Sequence, residues 1–328
     1  MKVNPILIVC GEPYSVFFEI FTKTINSKFI KKIKNPIVLI GSKKLLYKQI
    51  KKLNYKNKIE VITENKINKI NKNHKIIKII DVNFNFKKTF DKISNSSSIY
   101  IEKCFDIASS ILKKKKNLIL ISGPISKKHF LKKKYLGITE YLSNKTNSQN
   151  KEVMLIYNHR LSVSPITTHL PLTKVAKTIS RKKIVHNVIT INNFYKKYLK
   201  KGIKFAVTGL NPHCETRRKN NEEKKIIIPA IKLLKKKKIN VNGPFSADTI
   251  FIKQNVKKYD VIIGMYHDQV LGPIKTLYEF DAINITLGLP FLRISPDHGP
   301  NNSMLGKNIS NTQSLEKSLY FADKISEN

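Results

Sequence analysis

The chain contains few cysteines and no long hydrophobic run near its amino terminus. Each of these absences argues against a class of protein. Its 328 residues include only three cysteines, Cys10, Cys104 and Cys214, which have neither paired spacing nor a CxxC motif. This pattern argues against a disulfide framework and indicates a reduced, cytoplasmic protein. The first apolar run, Ile6–Val9, is too short for a signal sequence or a membrane span, so we expect no membrane partner.

Arginine is scarce although the chain is strongly basic. Of the 62 basic residues only five are arginine and the other 57 are lysine, spread along the chain, and the net charge is +40. Arginine is the side chain that recognises bases and phosphates through paired hydrogen bonds. We attribute the excess of Lys, Ile and Asn to A+T-rich coding, and we expect no specific nucleic-acid partner. A noncatalytic basic protein that binds nucleic acid stays open as an alternative, and it predicts strongly salt-sensitive binding.

The sequence has no GxGxxG motif, so it does not support an ordinary Rossmann cofactor site. Apolar strand-like runs nevertheless alternate with longer amphipathic stretches, which predicts an α/β fold with a substantially parallel sheet. The length favours two lobes. We place the first α/β lobe at residues 1–125 plus about 296–328 and the second at about 126–295. The final amphipathic helix, Leu315–Ile325, is expected to pack back on the first lobe.

Three histidines, His169, His213 and His267, come shortly after strand-like runs. The runs are Leu161–Ile166, Ile203–Val207 and Tyr259–Gly264. Separations of 44 and 54 residues exclude a local zinc-finger or HExxH site, but ligands gather at the carboxyl ends of strands in α/β folds. Each histidine alone could be a hydrogen-bonded structural residue. Together they predict a shared site for Zn²⁺, Co²⁺ or a similar divalent ion.

Six short segments then carry a resemblance to one known family. They are Ser122–Lys127, Thr167–Leu172, Gly209–His213, Gly243–Thr249, Met265–Gln269 and Asn284–Arg293. Together they resemble the 4-hydroxythreonine-4-phosphate dehydrogenases, which are NAD-dependent enzymes of pyridoxal 5′-phosphate biosynthesis. The resemblance covers nearly the whole chain. It implies the two-lobed fold of isocitrate and isopropylmalate dehydrogenases, with an active site in the interlobe cleft at the interface of a homodimer.

The resemblance also implies roles for individual residues. His169, His213 and His267 would hold a divalent metal, Zn²⁺, Co²⁺ or Mg²⁺, and would be drawn from both chains of the dimer. Contacts to the phosphorylated amino-acid substrate would come from Thr139, Lys275, Asn284 and Arg293. Lys275 and Asp248 would be catalytic, with Asp248 helping to accept a hydroxyl proton, although Asp248-Thr249 is also an ordinary helix-capping pair. The cofactor NAD would lie on loops at and after Asp297, His298 and Gly299.

The implied reaction oxidises the substrate at C3 and then releases CO₂, giving 3-amino-2-oxopropyl phosphate.

The chain departs from the family at two places. Tyr14 to Phe18 stand where the family has a glycine-rich loop, which removes backbone freedom and adds bulk. Ile138 stands where the family has a histidine that contacts the substrate, and an apolar side chain cannot donate a hydrogen bond. These departures leave open a related dehydrogenase that acts on acids of the 4-phospho-threonate or erythronate type.

Overall fold

The computed structural model of the chain describes residues 4–115, 117–131, 134–215, 221–279, 281–296 and 298–326. Within these ranges strands and helices alternate, as the sequence predicts. The strands are β1 (Ile6–Val9), β2 (Ile37–Gly41), β3 (Lys58–Val61), β4 (Ile76–Asp81), β5 (Ile119–Ser122), β6 (Val153–Tyr157), β7 (Ser162–Pro165), β8 (Phe205–Thr208), β9 (Val241–Phe245), β10 (Val261–Gly264), β11 (Ile283–Leu287) and β12 (Leu292–Pro296).

The α-helices vary in length from a single turn to five turns. They are α1 (Phe17–Asn26), α2 (Lys43–Lys52), α3 (Ser97–Lys114), α4 (Ile138–Lys145), α5 (Leu172–Thr178), α6 (Arg181–Phe194), α7 (Ile228–Lys236), α8 (Ala247–Ile250), α9 (Lys253–Val256), α10 (His267–Tyr278) and α11 (Gln313–Ser326). None of the helices in the described ranges has both the length and the apolar character that crossing a membrane requires.

The first unit consists of Met1–Gln149 and Leu289–Asn328. Its strands lie in the order β3, β4, β2, β1, β5, β12, and all neighbouring pairs are parallel. The central strand β1 is fully buried, which suits a strand of four branched apolar residues with helices on both faces. Helix α11 packs on α1, β1, β5 and β12, so the expectation that the last helix returns to the first lobe is confirmed.

The second unit is Asn150–Gly288. Its strands lie in the order β11, β6, β7, β10, β8, β9. The pairs β11 with β6 and β6 with β7 are antiparallel, whereas β7, β10, β8 and β9 run parallel. Buried side chains of β7, β8, β10 and α10 form its core, including Val163, Ala206, Ile262 and Val270. The predicted α/β class is therefore confirmed, with a mixed sheet in this unit.

The division between the units differs from the boundaries drawn from the sequence. Residues 126–149 and 289–295, placed in the second lobe by sequence, belong to the first unit. Aromatic packing explains the earlier segment, because Phe130 and Tyr141 pack on Phe105 of α3 with ring centroids 6.3 and 5.9 Å away. Strand pairing explains the later one, because β12 extends the parallel sheet beside β5.

The cysteines behave as the sequence indicates. All three are free thiols. Burial raises the pKa of Cys10 and raises that of Cys104 to about 12, so both thiols stay protonated and unreactive.

Candidate active site

The loops that carry the three histidines lie side by side at one edge of the second unit. Strands β7, β10 and β8 are adjacent and parallel, with Pro165 in register with Gly264. His169 follows β7, His267 opens α10 directly after β10, and His213 lies in a short 3₁₀ turn after β8. The predicted meeting of three strand ends is therefore confirmed, whereas the role of the histidines as metal ligands stays a prediction.

His169 and His267 are the two that come close together. Their ring centroids are 6.0 Å apart and the ring planes are inclined by 37°. Nδ1 of His267 lies 2.6 Å from Oδ1 of Asp268, and the side chain of His267 is one-third exposed. A carboxylate on Nδ1 orients the ring, which is the usual arrangement behind a metal-binding histidine.

His213 stands apart in conformation and in exposure. Its φ angle is +53° and that of Cys214 is +59°, so two successive residues without glycine's freedom adopt the left-handed region. The His213 side chain is 77% exposed, and its Nδ1 lies 4.0 Å from Oδ2 of Asp248. Burial raises the pKa of the Cys214 thiol, which makes it a weaker candidate ligand than its histidine neighbour.

Glu223 anchors the loop that presents His213. Its Oε1 accepts hydrogen bonds from the backbone nitrogens of Leu210 and Asn211, each at 2.9 Å. The amide of Asn211 also donates to Oε2 of Glu223 at 3.0 Å. Burial alone would raise the pKa of this carboxyl, but the hydrogen bonds from Asn211 and Leu210 outweigh it and lower the pKa. The loop is thus held at its start, while its histidine faces solvent.

The chemistry of the three histidines suits a divalent metal. Over the described ranges, no three His, Cys, Asp or Glu side chains converge closely enough to hold an ion. The paired imidazoles of His169 and His267, with the exposed imidazole of His213 after the neighbouring strand, fit the chemistry of a borderline-soft ion.

The other predicted residues of this unit lie on three elements. Lys275 is exposed on α10, about two turns after His267. Asn284 is half-buried on β11. Asp248 is exposed on α8, and its pKa is lowered, first by a hydrogen bond from Ser246 and also by the charge of His213. Asp248 is therefore ionised at neutral pH, and it can accept a proton only from a group that has itself been made acidic.

In the first unit a cavity of about 390 Å³ surrounds a buried arginine. Its lining consists of Gly123, Pro124, Ile125, Ser126, Lys127, Ile138, Arg293, Ser295, His298, Gly299 and Pro300. The side chain of Arg293 is 1% exposed, and it donates from Nε to Oγ of Ser122 at 3.0 Å and from Nη1 to Oγ1 of Thr139 at 3.5 Å. Burial lowers its pKa to about 10 and the charge of Glu140 opposes that shift, so the guanidinium stays charged at neutral pH.

The structure therefore brings together several residues that the sequence named separately. Arg293 and Thr139, the predicted substrate contacts, touch each other. His298 and Gly299, which the sequence predicts as cofactor contacts, line the same cavity, whereas Asp297 lies outside the described residues. Ile138, the departure from the family pattern, forms part of the cavity wall.

The bulky segment at residues 14–18 is packed rather than open. Phe17 is 1% exposed and stacks on His298 with ring centroids 6.5 Å apart, and the backbone nitrogen of Val16 donates to the carbonyl of Pro300 at 3.0 Å. Position 11 requires glycine for steric reasons, since its φ is +75° and a Cβ there would lie 2.3 Å from the carbonyl oxygen of Pro124. The added aromatic bulk thus supports the loop that borders the cavity.

Sequence reasoning assigned no role to Glu12. This carboxyl is 2% exposed, and burial raises its pKa to about 7. Its Oε2 accepts a hydrogen bond from Ser97 at 2.9 Å, at the start of α3. The available signal was an acidic residue between Gly11 and Pro13, directly after the buried strand β1, where an exposed carboxylate is not expected.

Comparisons with known proteins identify the family of the chain. The sequence model of the family described as "Pyridoxal phosphate biosynthetic protein PdxA" matches residues 32–322. A 4-hydroxythreonine-4-phosphate dehydrogenase of Sulfurihydrogenibium sp. is 36% identical over 322 residues and aligns over 96% of each chain. A putative D-threonate 4-phosphate dehydrogenase of Oceanobacillus iheyensis is 31% identical over 337 residues, covering 99% of each.

A solved structure gives the same result for the fold. The crystal structure of a 4-hydroxythreonine-4-phosphate dehydrogenase from Klebsiella pneumoniae superposes with a TM-score of 0.85 at 25% identity, covering 98% of this chain and 99% of that one. The fold is therefore the isocitrate dehydrogenase-like fold that the resemblance implied. On the match to most of its length, the chain belongs to the PdxA family of pyridoxal phosphate biosynthetic proteins.

Proposed function

We propose that the chain is a metal-dependent, NAD-dependent 4-hydroxythreonine-4-phosphate dehydrogenase that works as a homodimer with shared active sites. The observation that carries the proposal is the placement of His169, His213 and His267 after three adjacent parallel strands. The family match supports it and disfavours the alternative of a noncatalytic nucleic-acid-binding protein.

The proposed reaction removes a hydride from C3 of 4-phosphohydroxy-L-threonine and a proton from its C3 hydroxyl. When bound, the divalent ion would lower the pKa of that hydroxyl, and NAD would accept the hydride. His169, His213 and His267 would hold the ion. The bond between the α-carbon and the carboxylate then breaks, CO₂ leaves, and its bonding electrons pass to the new C3 carbonyl as an enolate. The α-carbon takes a proton from solvent, which gives 3-amino-2-oxopropyl phosphate.

Charged side chains of the protein position the substrate in this proposal. Arg293 is held by Ser122 and Thr139, so its guanidinium is oriented before any anion arrives. A fixed, desolvated guanidinium suits a phosphate or carboxylate, since it offers planar donors at little reorganisation cost. Lys275 and Asn284 would add an ammonium and an amide to the same substrate.

Asp248 is the proposed acceptor of the hydroxyl proton. Its lowered pKa keeps it ionised, and its position 4.0 Å from His213 places it beside a proposed metal ligand. A carboxylate of low pKa is a weak base, but it suffices where the hydroxyl has been made acidic. His298 and Gly299 would contribute to the NAD site, together with Asp297.

A second candidate is oxidation of a 4-phospho-threonate or erythronate type of acid. Ile138 favours it, because this apolar side chain lines the Arg293 cavity and offers no hydrogen bond to a substrate. The relative from Oceanobacillus iheyensis carries a name of this type. Comparing kcat/KM for 4-phosphohydroxy-L-threonine and 4-phospho-D-threonate on the purified protein separates the two candidates.

The proposal is tested by following NADH formation from 4-phosphohydroxy-L-threonine with and without Zn²⁺, Co²⁺ or Mg²⁺. We expect turnover that depends on metal and is lost in His213→Ala. The matched control is His186→Ala, because His186 is half-buried on α6, away from the three histidine loops, and its Nε2 contacts the backbone carbonyl of Lys151 at 2.9 Å. Absence of turnover from folded, metal-loaded protein with either substrate would overturn the assignment.

A further inference from the structure

Gln269 is a buried side chain that connects the histidine loops. It lies two residues after His267 in α10 and is 8% exposed. Its Oε1 accepts hydrogen bonds from the backbone nitrogen of Met265 at 2.6 Å and from Oγ1 of Thr208 at 2.9 Å. Its Nε2 donates to the carbonyl of Gly209 at 2.8 Å. One carboxamide thus links the loop of His267 to the end of β8 and the start of the loop that carries His213.

The chemistry of its partners fixes the orientation of this amide. A backbone N–H can only donate and a backbone carbonyl can only accept, so the oxygen of Gln269 must face Met265 and the nitrogen must face Gly209. No other standard neutral side chain of this size offers both an acceptor and a donor at these two positions.

The backbone of the same residue, Met265, extends the connection to the third loop. The carbonyl of Met265 accepts hydrogen bonds from the backbone nitrogen of Thr167 at 3.2 Å and from its Oγ1 at 2.8 Å. Thr167 is two residues before His169 and is 4% exposed. Buried hydrogen bonds of this kind fix the geometry of the loops, because a buried partner left without its bond costs the full desolvation free energy of that group.

We propose that Gln269 is a positioning residue for the metal site, because it sets the relative placement of the loops that carry His213 and His267. This inference rests on the proposed function, in which these histidines hold the ion. Gln269 touches neither the ion nor the substrate in this scheme. Its effect acts through the loops, so it should appear in metal affinity and in coordination geometry.

The test is a Co²⁺ titration of the full-length protein, followed through the visible absorption of the bound ion. In Gln269→Met, which keeps the length and removes both hydrogen-bonding groups, we expect the dissociation constant to rise about 10- to 100-fold, as for other groups that orient ligands from behind. The Co²⁺ spectrum should change as well. A smaller rise is expected in Thr208→Val, which removes one hydrogen bond and conserves shape.

Gln49→Met is the matched control. Gln49 is 1% exposed in the first unit, and its Nε2 donates to the carbonyls of Pro13 at 3.2 Å and Thr89 at 3.1 Å. It is therefore a buried glutamine that links two loops by hydrogen bonds, and neither loop carries one of the three histidines. We expect its substitution to lower the thermal midpoint while leaving the Co²⁺ dissociation constant and spectrum unchanged.

His267→Ala separates failure of this inference from failure of the proposed function. If His267→Ala loses Co²⁺ while Gln269→Met and Thr208→Val bind it as the wild type does, the positioning role of Gln269 is refuted and the histidine site stands. If His267→Ala itself binds Co²⁺ normally, the histidine site and the inference both fail. Should Gln269→Met not fold, Thr208→Val decides by the same criterion.

Discussion

The two units differ in how far their proposed functional charges are exposed to solvent. In the first unit Arg293 is 1% exposed and is fixed by two hydroxyl groups. In the second, the side chains of His213 and Asp248 are 77% and 60% exposed. A desolvated, oriented charge binds an anion with little reorganisation, whereas exposed groups interact weakly until water is excluded. The first unit thus holds a desolvated and oriented guanidinium, which we propose as the anion site, and the second holds exposed groups that we propose as parts of a metal site.

The carboxyl groups show the same contrast. Burial raises the pKa of Glu12 to about 7, with the hydrogen bond from Ser97 opposing it. Asp248 has its pKa lowered, first through a hydrogen bond from Ser246. One carboxyl is tuned by loss of water and the other by its neighbours. The difference follows from exposure, since Glu12 is 2% exposed and the side chain of Asp248 is 60% exposed.

Replacing Arg293 should have the largest effect on activity. In Arg293→Met we expect kcat/KM for the phosphorylated substrate to fall about 10²- to 10⁴-fold, because about two charge-assisted hydrogen bonds worth 1.5–3 kcal/mol each are lost. Arg160→Met, at an exposed position of the second unit, is the control and should retain wild-type kinetics. Steady-state kinetics check both. A near-normal kcat/KM in Arg293→Met would show that Arg293 does not bind the substrate.

The pH dependence of stability tests the burial of Glu12. A carboxyl whose folded pKa is about 7, raised from 4.5, binds its proton more tightly in the native state, so its contribution is complete below pH 4.5 and is lost as pH rises through 7. The loss amounts to at most about 3 kcal/mol. Urea unfolding from pH 5 to 8, followed by far-ultraviolet circular dichroism, should show this decline in the wild type.

Glu12→Gln should remove that decline, because the amide stays neutral at every pH. Glu60→Gln is a suitable control, since Glu60 is exposed on β3 of the same unit. If Glu12→Gln and the wild type lose stability in parallel between pH 5 and 8, Glu12 is not the titrating group.

Ile138 provides a smaller test, within the cavity of the first unit. In Ile138→His an imidazole can donate a hydrogen bond beside Arg293, and we expect kcat/KM for 4-phosphohydroxy-L-threonine to rise about tenfold, the worth of one net hydrogen bond. Ile125→Val, at another apolar position of the same wall, should change little. A fall in activity with this substrate and an equal fall with 4-phospho-D-threonate would show that the cavity wall does not select the substrate.

The smallest effect is expected in α10, which carries His267 and Lys275. Apart from its chain neighbours and the nearby backbone of its own helix, a Cβ on Gly272 would meet no atom of the described structure within 4 Å, and the residue is exposed within the helix. Gly272→Ala should therefore stabilise the protein by about 0.5–1 kcal/mol, through the lower entropy of the unfolded chain. A thermal melt measures the gain. A lower midpoint would indicate that the open face of α10 is covered in solution.

Much of this fold could be predicted from the sequence because its strands are short, apolar and regularly spaced. Strand β9 and helix α10 are harder to predict, because each contains residues that local rules disfavour in such an element. Strand β9 includes Asn242, Gly243 and Pro244, and α10 has Pro273 in its interior. Pairing with β8 and packing against β7 and β10 override these preferences. Tertiary contacts of this kind are not visible in a local pattern.

The candidate site was predictable in its residues but not in its environment. The apolar runs before the histidines indicated that their loops would meet, and strand register confirms that they do. Arg293 is held by hydrogen bonds to Ser122 and Thr139, which are 171 and 154 residues away in the chain. Gln269 was likewise part of a quoted motif, yet its partners at Thr208 and Gly209 could be found only in the folded structure.

The central claim is that the three histidines serve one metal site. Isothermal titration calorimetry with Zn²⁺ tests it most directly, on the wild type and on His169→Ala, His213→Ala and His267→Ala. We predict one tight ion per chain in the wild type and loss of tight binding in each of the three variants. If any one of them binds Zn²⁺ with wild-type affinity and stoichiometry, that histidine is not a ligand and the shared site is contradicted.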